Sequence, residues 1–172
     1  IYSREPPAGV RWLHESFGTN WRMTEMQAVI GRIQLTRMNE WTAKRQAYAV
    51  KLDSAATEFN CIRLVNVPDY IEHAEYKHYM FVNPKYLAEG WDRDRIVNEI
   101  VGRGVPCFQG SCSEVYLEKA FDNTPWRPEK RLPNAVELGE TSLMFLVHPT
   151  LTKGEIKKTC DVITSVMLLA TI

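Results

Sequence analysis

Apolar residues recur at helical spacing directly after Thr24. Thr24 and Gln27 form a capping-box pair, because the hydroxyl can accept the backbone N–H at position 27 while the amide side chain reaches back. The apolar positions that follow are Met26, Ile30, Ile33, Met38 and Trp41, and Tyr48, Leu52 and Phe59 extend the same stripe. This pattern predicts one long leading helix over residues 25–58.

Shorter patterns after this helix predict the strands of a small sheet. Residues 75–84 alternate best, with Tyr76, His78, Met80 and Val82 facing one way and Lys77, Tyr79 and Phe81 facing the other. Further short strands are predicted at 61–65, 105–108 and 142–147. Pro106 cannot donate a ladder hydrogen bond, so its strand is predicted to lie at the edge of the sheet.

Capping signals predict three more helices. Asp92 caps a helix that Gly104 stops, and a helix at 132–139 is predicted to end at its glycine. Thr152 and Glu155 form a second capping box ahead of the last helix, whose apolar stripe is Ile156, Cys160, Ile163 and Met167. The chain is therefore predicted to have a mixed α/β (α+β) fold, in which helices cover a small, mostly antiparallel sheet.

The composition excludes several classes of function. The 172 residues carry 21 basic and 21 acidic side chains without a sustained basic stripe, so neither nucleic acid nor a membrane is an expected partner. No apolar run is long enough to span a bilayer. The cysteines are few and lack the spacing of zinc ligands, so we expect free thiols in a reducing cytoplasm and no metal site.

A polar loop precedes the first helix. It places Gly18, Asn20 and Arg22 ahead of a helix N-terminus, where backbone N–H groups and the helix dipole both favour an anion. The residues alone leave two interpretations open, which are an anion-binding loop and the polar lead-in of an ordinary capped helix. Physical chemistry by itself favours the second interpretation.

Residues 20–28, which read N-W-R-M-T-E-M-Q-A, are followed by Gly31 and by Gln34–Leu35. This stretch resembles the segment N-[YFW]-R-M-[ST]-E-x-Q-A-A-x-G-x-x-Q-L of the DegT/DnrJ/EryC1/StrS family. Members of that family are pyridoxal-phosphate (PLP) enzymes that mostly aminate keto sugars carried on nucleotides. Residues 101–105 and 132–152 also resemble family segments in the same order. The resemblance covers only the C-terminal part of the family's sequence.

This resemblance implies a fold-type I PLP-dependent transferase, in which a large domain holds the cofactor and a smaller C-terminal domain closes over it. Residues 1–23 are then a connector from an absent N-terminal PLP-binding domain, and residues 24–172 are the C-terminal domain. The family's lysine, which forms a Schiff base with PLP, lies in a segment resembling S-F-x-x-x-K that this sequence lacks. We therefore expect no catalytic residue in this chain, and we expect the fragment alone to bind no PLP and to be inactive.

The resemblance also implies a cofactor contact and a substrate surface. In the family, the asparagine of the N-[YFW]-R-M loop reaches from one subunit of a homodimer to the PLP phosphate of the other, and Asn20 occupies that position. Arg22 is the neighbouring cation, which could face the nucleotide-sugar or organise the loop. Lys77 and His78 match a strand whose leading residues face the active site. Lys77 could pair with a substrate phosphate or be solvated, and His78 could contact the substrate or be packed.

The resulting hypothesis is a cytoplasmic aminotransferase that uses an amino-acid donor, often glutamate, to aminate a nucleotide-linked keto sugar. The product would enter a surface polysaccharide such as lipopolysaccharide O-antigen, or a related glycan. Residues 108–116 depart from the P-L-H-type turn common in the family, so no substrate histidine is carried over and a distinct sugar preference is implied. Two alternatives stay open. One is a PLP-dependent sugar dehydratase of the same family, and the other is a non-catalytic dimerisation or binding module.

Overall fold

A central sheet of four antiparallel strands organises the protein in a computed structural model, which describes residues 17–18 and 21–172. The strands are β1 (Ile62–Leu64), β2 (His78–Val82), β3 (Cys107–Phe108) and β4 (Ser142–Phe145), and their order in the sheet is β1-β2-β4-β3. The helices are α1 (Glu25–Thr36), α2 (Met38–Ala56), α3 (Arg93–Gly102), α4 (Pro133–Thr141) and α5 (Lys153–Ala170). Short 3-10 turns occupy Pro84–Tyr86, Val115–Leu117 and Lys119–Phe121. This architecture confirms the predicted mixed α/β class.

Strand β2 has the alternation that its sequence predicts. The buried residues are His78, Met80 and Val82, and the half-buried residues between them are Tyr79 and Phe81. β2 pairs with β1 on one side and with β4 on the other, so it is a central strand. Strand β3 pairs with β4 at the end of the sheet order, which confirms the edge position predicted from Pro106.

The core fills the space between the sheet and helices α2, α3 and α5. Its largest fully buried side chains are Phe145, Leu52, Met80, Ile96, Ile100, Leu143, Ile156, Ile163 and Met167. Helix α5 enters the core through its predicted stripe, and Cys160 of that stripe is half-buried against it. Burial of one large aliphatic side chain stabilises a fold by about 1.5–3 kcal/mol. Because α2, α3, α5 and the sheet share one cluster of buried residues, we expect them to unfold together, and we call them the body of the protein.

The predicted helix over residues 25–58 is interrupted at Arg37, and the prediction of one continuous helix was wrong. The backbone N–H of Arg37 bonds to the carbonyl of Gln34 at 3.0 Å, and the Thr36 hydroxyl donates to the carbonyl of Ile33 at 2.7 Å. Arg37 has φ −100° and ψ −5°, which depart from regular helical values, so α1 ends and α2 begins at this residue. The second helix then runs to Ala56.

The predicted stop at Gly139 was also wrong, because α4 continues through this residue to Thr141. A Cβ atom at position 139 would lie 2.5 Å from the hydroxyl oxygen of Ser113. A side chain at position 139 would therefore have to displace the Ser113 hydroxyl, which bonds to the backbone carbonyl of Ala135. Gly104, by contrast, has a φ of +72° directly after α3 and acts as the predicted stop.

The predicted connector over residues 1–23 falls largely outside the described part of the chain. Residues 1–16 and 19–20 lie outside the described residues, so the division into a connector and a domain is still a prediction. Among the residues that are described, no helix combines the length and the apolar character needed to cross a membrane.

Candidate functional site

The N-terminal end of α1 is capped as the sequence predicts. The Thr24 hydroxyl oxygen accepts the backbone N–H of Gln27 at 3.3 Å, and Gln27 Oε1 accepts the backbone N–H of Thr24 at 2.9 Å. Arg22 is exposed on the segment that leads into this cap. Asn20 lies outside the described residues, so its predicted contact stays a prediction. The described part of this end offers a cation and a helix N-terminus, both of which favour an anion.

Helix α1 carries an apolar stripe that the described structure leaves uncovered. No residue of α1 is buried. The exposed apolar side chains on it and just ahead of it are Trp21, Met23, Met26, Val29, Ile30, Ile33 and Leu35. An exposed apolar surface of this kind is typical of a face that another protein segment covers.

A buried histidine joins α2 to the start of β2. His78 is 4% exposed, its Nε2 lies 2.8 Å from Oδ1 of Asp53 on α2, and its Nδ1 lies 3.1 Å from Oε2 of Glu75. Glu75 also faces His73, whose Nδ1 lies 2.8 Å from Glu75 Oε1. Gln46 of α2 donates to the backbone carbonyl of His73 at 2.9 Å. Asp53, His73, Glu75 and His78 are called the histidine–carboxylate cluster below.

The histidine–carboxylate cluster keeps His78 charged. Burial lowers the pKa of His78, but hydrogen bonds and negative charge from Asp53 and Glu75 outweigh burial and raise the pKa to about 9. Burial raises the pKa of Glu75, but contacts with the two histidines bring that pKa below its ordinary value. Both ring nitrogens of His78 therefore face carboxyl groups of the same chain, and neither is left for a substrate in this arrangement.

Lys77 lies next to His78 but in different surroundings. Its Nζ atom lies 5.7 Å from the centre of the Tyr76 ring, and Tyr76 is itself exposed. Lys77 is half-buried, so it presents a partly accessible cation at the start of β2. The structure therefore brings Lys77 and His78 to one strand end, whereas Arg22 lies ahead of α1.

A buried carboxylate holds the loop over residues 109–131, which connects β3 to α4. Glu114 is 5% exposed and accepts Nε of Arg131 at 2.8 Å and Nη2 of Arg131 at 2.5 Å. The Tyr116 hydroxyl donates to Glu114 at 2.7 Å and accepts the backbone N–H of Leu132 at 2.9 Å. A two-point ion pair thus closes this loop near its base.

The sequence alone does not identify Asp53 as a partner of His78, or Arg131 as the partner of Glu114. Asp53 looks like part of the polar face of a helix, and it lies 25 positions from His78. Glu114 and Arg131 lie 17 positions apart within a loop. One signal was available, because the alternation of β2 places His78 on the buried face, where a polar side chain needs hydrogen-bond partners.

No lysine in the described part of the chain is buried. Lys77 is half-buried, and the other described lysines are exposed. A lysine that acts on a carbonyl usually lies in apolar surroundings that disfavour its charged form. None of the described lysines has such surroundings.

The sheet and its helices have the architecture of one part of an aminotransferase. The aminotransferase from Psychrobacter cryohalolentis matches with a TM-score of 0.80 and 55% sequence identity, over 97% of this chain and 44% of that chain. DesV from S. venezuelae matches with a TM-score of 0.71 and 26% identity, over 90% of this chain and 39% of that chain.

The chain belongs to the DegT/DnrJ/EryC1/StrS aminotransferase family, whose sequence model matches residues 2–164. This match confirms the resemblance found in the sequence. The dTDP-3-amino-3,4,6-trideoxy-alpha-D-glucose transaminase of Streptomyces venezuelae is 27% identical over 154 residues, which are 89% of this chain and 38% of the relative. The chain thus spans less than half the length of these relatives, which belong to a family of PLP-dependent enzymes.

Proposed function

We propose that this chain is the C-terminal portion of a PLP-dependent aminotransferase that aminates a nucleotide-linked keto sugar. Family membership supports the reaction class, and similarity to a transaminase named for a dTDP-linked sugar supports the substrate class. The relatives described above are aminotransferases, which favours amino transfer over the dehydration that some family members catalyse. The proposed product enters a surface polysaccharide, such as lipopolysaccharide O-antigen, and the proposed compartment is the cytoplasm.

The uncovered stripe of α1 is the observation that carries this proposal. A helix of 12 residues with no buried side chain has little support of its own in water. The family-specific residues N-W-R-M lie directly ahead of that helix. Their position fits a chain whose first helix packs against the remaining length of a longer enzyme, where the proposed PLP-binding domain and a second subunit would supply the cover.

The described residues fit one part of a PLP site. When bound, PLP supplies the electron sink that allows an amino group to pass between a donor and a keto sugar. The lysine that holds PLP is proposed to lie in the remaining length of the enzyme, because no described lysine is buried. What this chain offers is a helix N-terminus, which suits a phosphate.

Four side chains have proposed roles in the complete homodimer. Asn20 donates its side-chain amide to the PLP phosphate of the partner subunit. Arg22 and Lys77 attract the phosphates of the nucleotide-sugar, since both are cations with access to solvent. His78 does not contact the substrate, because both its ring nitrogens bond to carboxylates of the same chain, and its role is to hold the start of β2 in place. An amino acid such as glutamate is the proposed donor of the amino group.

The first test is Asn20→Ala in the full-length enzyme. A hydrogen bond to a charged phosphate is worth roughly 1.5–3 kcal/mol, so PLP affinity should fall about ten- to a hundredfold. The fold should be unaffected, because this loop precedes the Thr24 cap. Equilibrium titration with PLP measures the affinity, and the exposed residue Asn66 offers a matched control as Asn66→Ala. Unchanged PLP affinity in Asn20→Ala contradicts the assignment.

A mixed dimer tests whether Asn20 acts across the subunit interface. One subunit carries Asn20→Ala, and the other lacks the lysine that binds PLP. If Asn20 acts in trans, the single site with a lysine receives an intact asparagine from its partner, and it binds PLP normally. If Asn20 acts in cis, the mixed dimer behaves like the Asn20→Ala enzyme. The 172-residue chain alone is expected to bind no PLP, and a lysine in it that becomes covalently labelled by PLP and borohydride contradicts that expectation.

A further inference from the structure

The apolar stripe of α1 continues onto α2, and its exposure decreases toward the body of the protein. Met26 and Ile33 of α1 are 77% and 49% exposed, and Met38 at the start of α2 is 37% exposed. Ala49 of α2 is only 4% exposed, and Leu52 is fully buried in the core. The body of the protein therefore stops covering this stripe between Met38 and Ala49.

Arg45 lies at this edge of the body. It precedes Ala49 by one helical turn, so it stands on the same side of α2 as the buried residues. The side chain is half-buried, and its Nε atom is buried without a hydrogen-bond partner among the described residues. A buried N–H group of this kind is uncommon, because it has lost water without gaining another acceptor. It indicates an acceptor that the described residues do not supply.

The carboxylates that could have served Arg45 are engaged elsewhere. Both acidic side chains of α2 have partners, since Glu40 forms an ion pair at 2.8 Å with the lysine four positions on, and Asp53 lies 2.8 Å from Nε2 of His78. Glu75, on the segment ahead of β2, contacts both histidines of the histidine–carboxylate cluster. In this arrangement none of the three carboxylates is left for Arg45.

Charge is also divided unevenly at this edge, although the chain as a whole is neutral. Residues 53–172 carry 13 basic and 17 acidic side chains. Residues 21–52 carry only two acidic side chains, Glu25 and Glu40. The same stretch carries six basic side chains, which are Arg22, Arg32, Arg37, Lys44, Arg45 and Lys51. A surface that packs on α1 and the start of α2 therefore meets mainly positive charge, which an acidic surface complements.

We propose that Arg45 pairs with a carboxylate of the segment that covers the stripe of α1, and that this segment lies in the remaining length of the enzyme. The chain covers 38% and 44% of two of its relatives, so such an enzyme has enough further chain to supply the segment. A carboxylate suits Arg45 better than a neutral oxygen, because it accepts two N–H groups of the guanidinium and neutralises its charge. This inference rests on the proposal that the chain is part of a longer aminotransferase, and it adds the chemistry that holds the parts together.

The test measures the melting temperature of Arg45→Met in the 172-residue chain and in the full-length enzyme. Methionine keeps much of the aliphatic stem and removes the N–H groups. In the 172-residue chain the melting temperature should stay the same or rise by up to about 4 °C, because a buried N–H group without an acceptor is removed. In the full-length enzyme it should fall by about 3–10 °C, because a buried carboxylate loses its cation.

Two further variants make the comparison specific. Arg45→Lys keeps the charge but not the two-point geometry, so it should restore only part of the loss in the full-length enzyme. Lys44→Met removes the same charge at the neighbouring position, where the side chain is exposed and paired with Glu40. This control should shift neither melting temperature by more than about 2 °C.

The other possible partners of Arg45 give different results, and each of them overturns the inference. An equal fall in both proteins would place the partner within the 172 residues. A fall in the 172-residue chain that depends on protein concentration would identify a second copy of this chain as the cover. An unchanged melting temperature with a raised KM for the nucleotide-sugar would identify an anionic ligand, and no change in either quantity would remove the role of Arg45.

Failure of the proposed function is recognised separately. A full-length parent enzyme that transfers no amino group to a nucleotide-linked keto sugar contradicts the proposed reaction. The contrast between the two melting temperatures of Arg45→Met does not depend on that activity, so it still decides whether Arg45 pairs with the remaining length.

Discussion

Helices α1 and α5 begin with the same capping arrangement and differ in what covers them. In each, a threonine hydroxyl accepts the backbone N–H three residues on, and the side chain at that position bonds back to the threonine. The residues that α5 buries are Ile156, Ile163, Val166, Met167 and Ala170. Helix α1 buries none, although it carries isoleucine, valine and methionine at helical spacing.

The two helices show that the signals that start a helix differ from the contacts that stabilise it in a fold. Caps and spacing are local properties, and they specify both helices equally well. Burial depends on whether another surface lies opposite the apolar stripe. For α5 that surface is the sheet together with α2 and α3. For α1 we expect it in the remaining length of the enzyme, and the predictions below test this difference.

The largest expected effect comes from one isoleucine on each helix. Ile163 of α5 is fully buried, whereas Ile30 of α1 is 58% exposed. Ile163→Ala should lower the free energy of unfolding by about 2–5 kcal/mol, because it removes buried methyl groups and leaves a cavity. Ile30→Ala should change it by no more than about 0.5 kcal/mol in the 172-residue chain. Urea unfolding followed by circular dichroism measures both variants.

Measuring Ile30→Ala in both the 172-residue chain and the full-length enzyme distinguishes an uncovered α1 from a packed α1. In the full-length enzyme, Ile30→Ala should cost clearly more than it does in the shorter chain, since the remaining length would cover that side chain. A large cost in the shorter chain would mean that α1 is already packed there. Dependence of that cost on protein concentration would identify self-association as the cause.

The second prediction concerns α2, which follows α1 but is tied to the body by the histidine–carboxylate cluster. The folded-state pKa of His78, about 9, is above its ordinary value of 6.5, so folding binds this proton more tightly. The resulting stability is fully present below about pH 6.5 and is lost as the pH rises through 9. Glu75 has the opposite effect in acid. Its pKa is lowered in the folded protein, so its contribution to stability is lost as the pH falls below the ordinary pKa of 4.5.

His78→Gln should remove the alkaline part of this dependence. At pH 6 the variant should be less stable than the parent by roughly 1.5–3 kcal/mol, the usual range for hydrogen bonds to charged groups. The difference should shrink as the pH approaches 9, where His78 loses its proton in the parent. Urea midpoints at several pH values give the two curves. A difference that stays constant from pH 6 to 9 would show that charge on His78 is not what stabilises the α2–β2 connection.

Most helix starts and the central strand of this fold could be predicted from residues that are close together in sequence. The caps at Thr24, Asp92 and Thr152 hold in the structure, and the alternation around His78 marks the central strand. These features succeed because caps and periodicity act within a few residues of chain. The break at Arg37 is not predicted, because the apolar spacing continues across it from Ile33 to Trp41.

The site was less predictable than the fold for a physical reason. The motif around Asn20 and Arg22 could be found because it is contiguous in sequence. Asp53 and His78, like Glu114 and Arg131, come together only through tertiary folding, and no spacing rule connects them. Gly139 misled the helix prediction because close approach to Ser113, and not helix termination, explains its small size.

The smallest expected effect compares the two threonine caps themselves. Thr152 Oγ1 accepts the Glu155 N–H at 3.2 Å, and Thr24 Oγ1 accepts the Gln27 N–H at 3.3 Å, so the two local bonds are nearly equal. Thr152→Ala should lower global stability by about 1 kcal/mol, because α5 unfolds together with the core. Thr24→Ala should leave global stability within about 0.5 kcal/mol of the parent, because α1 can unfold while the rest of the protein stays folded. Its main effect should be faster hydrogen exchange in the first turns of α1. Equal global losses from the two substitutions would show that α1 is part of the cooperative body after all.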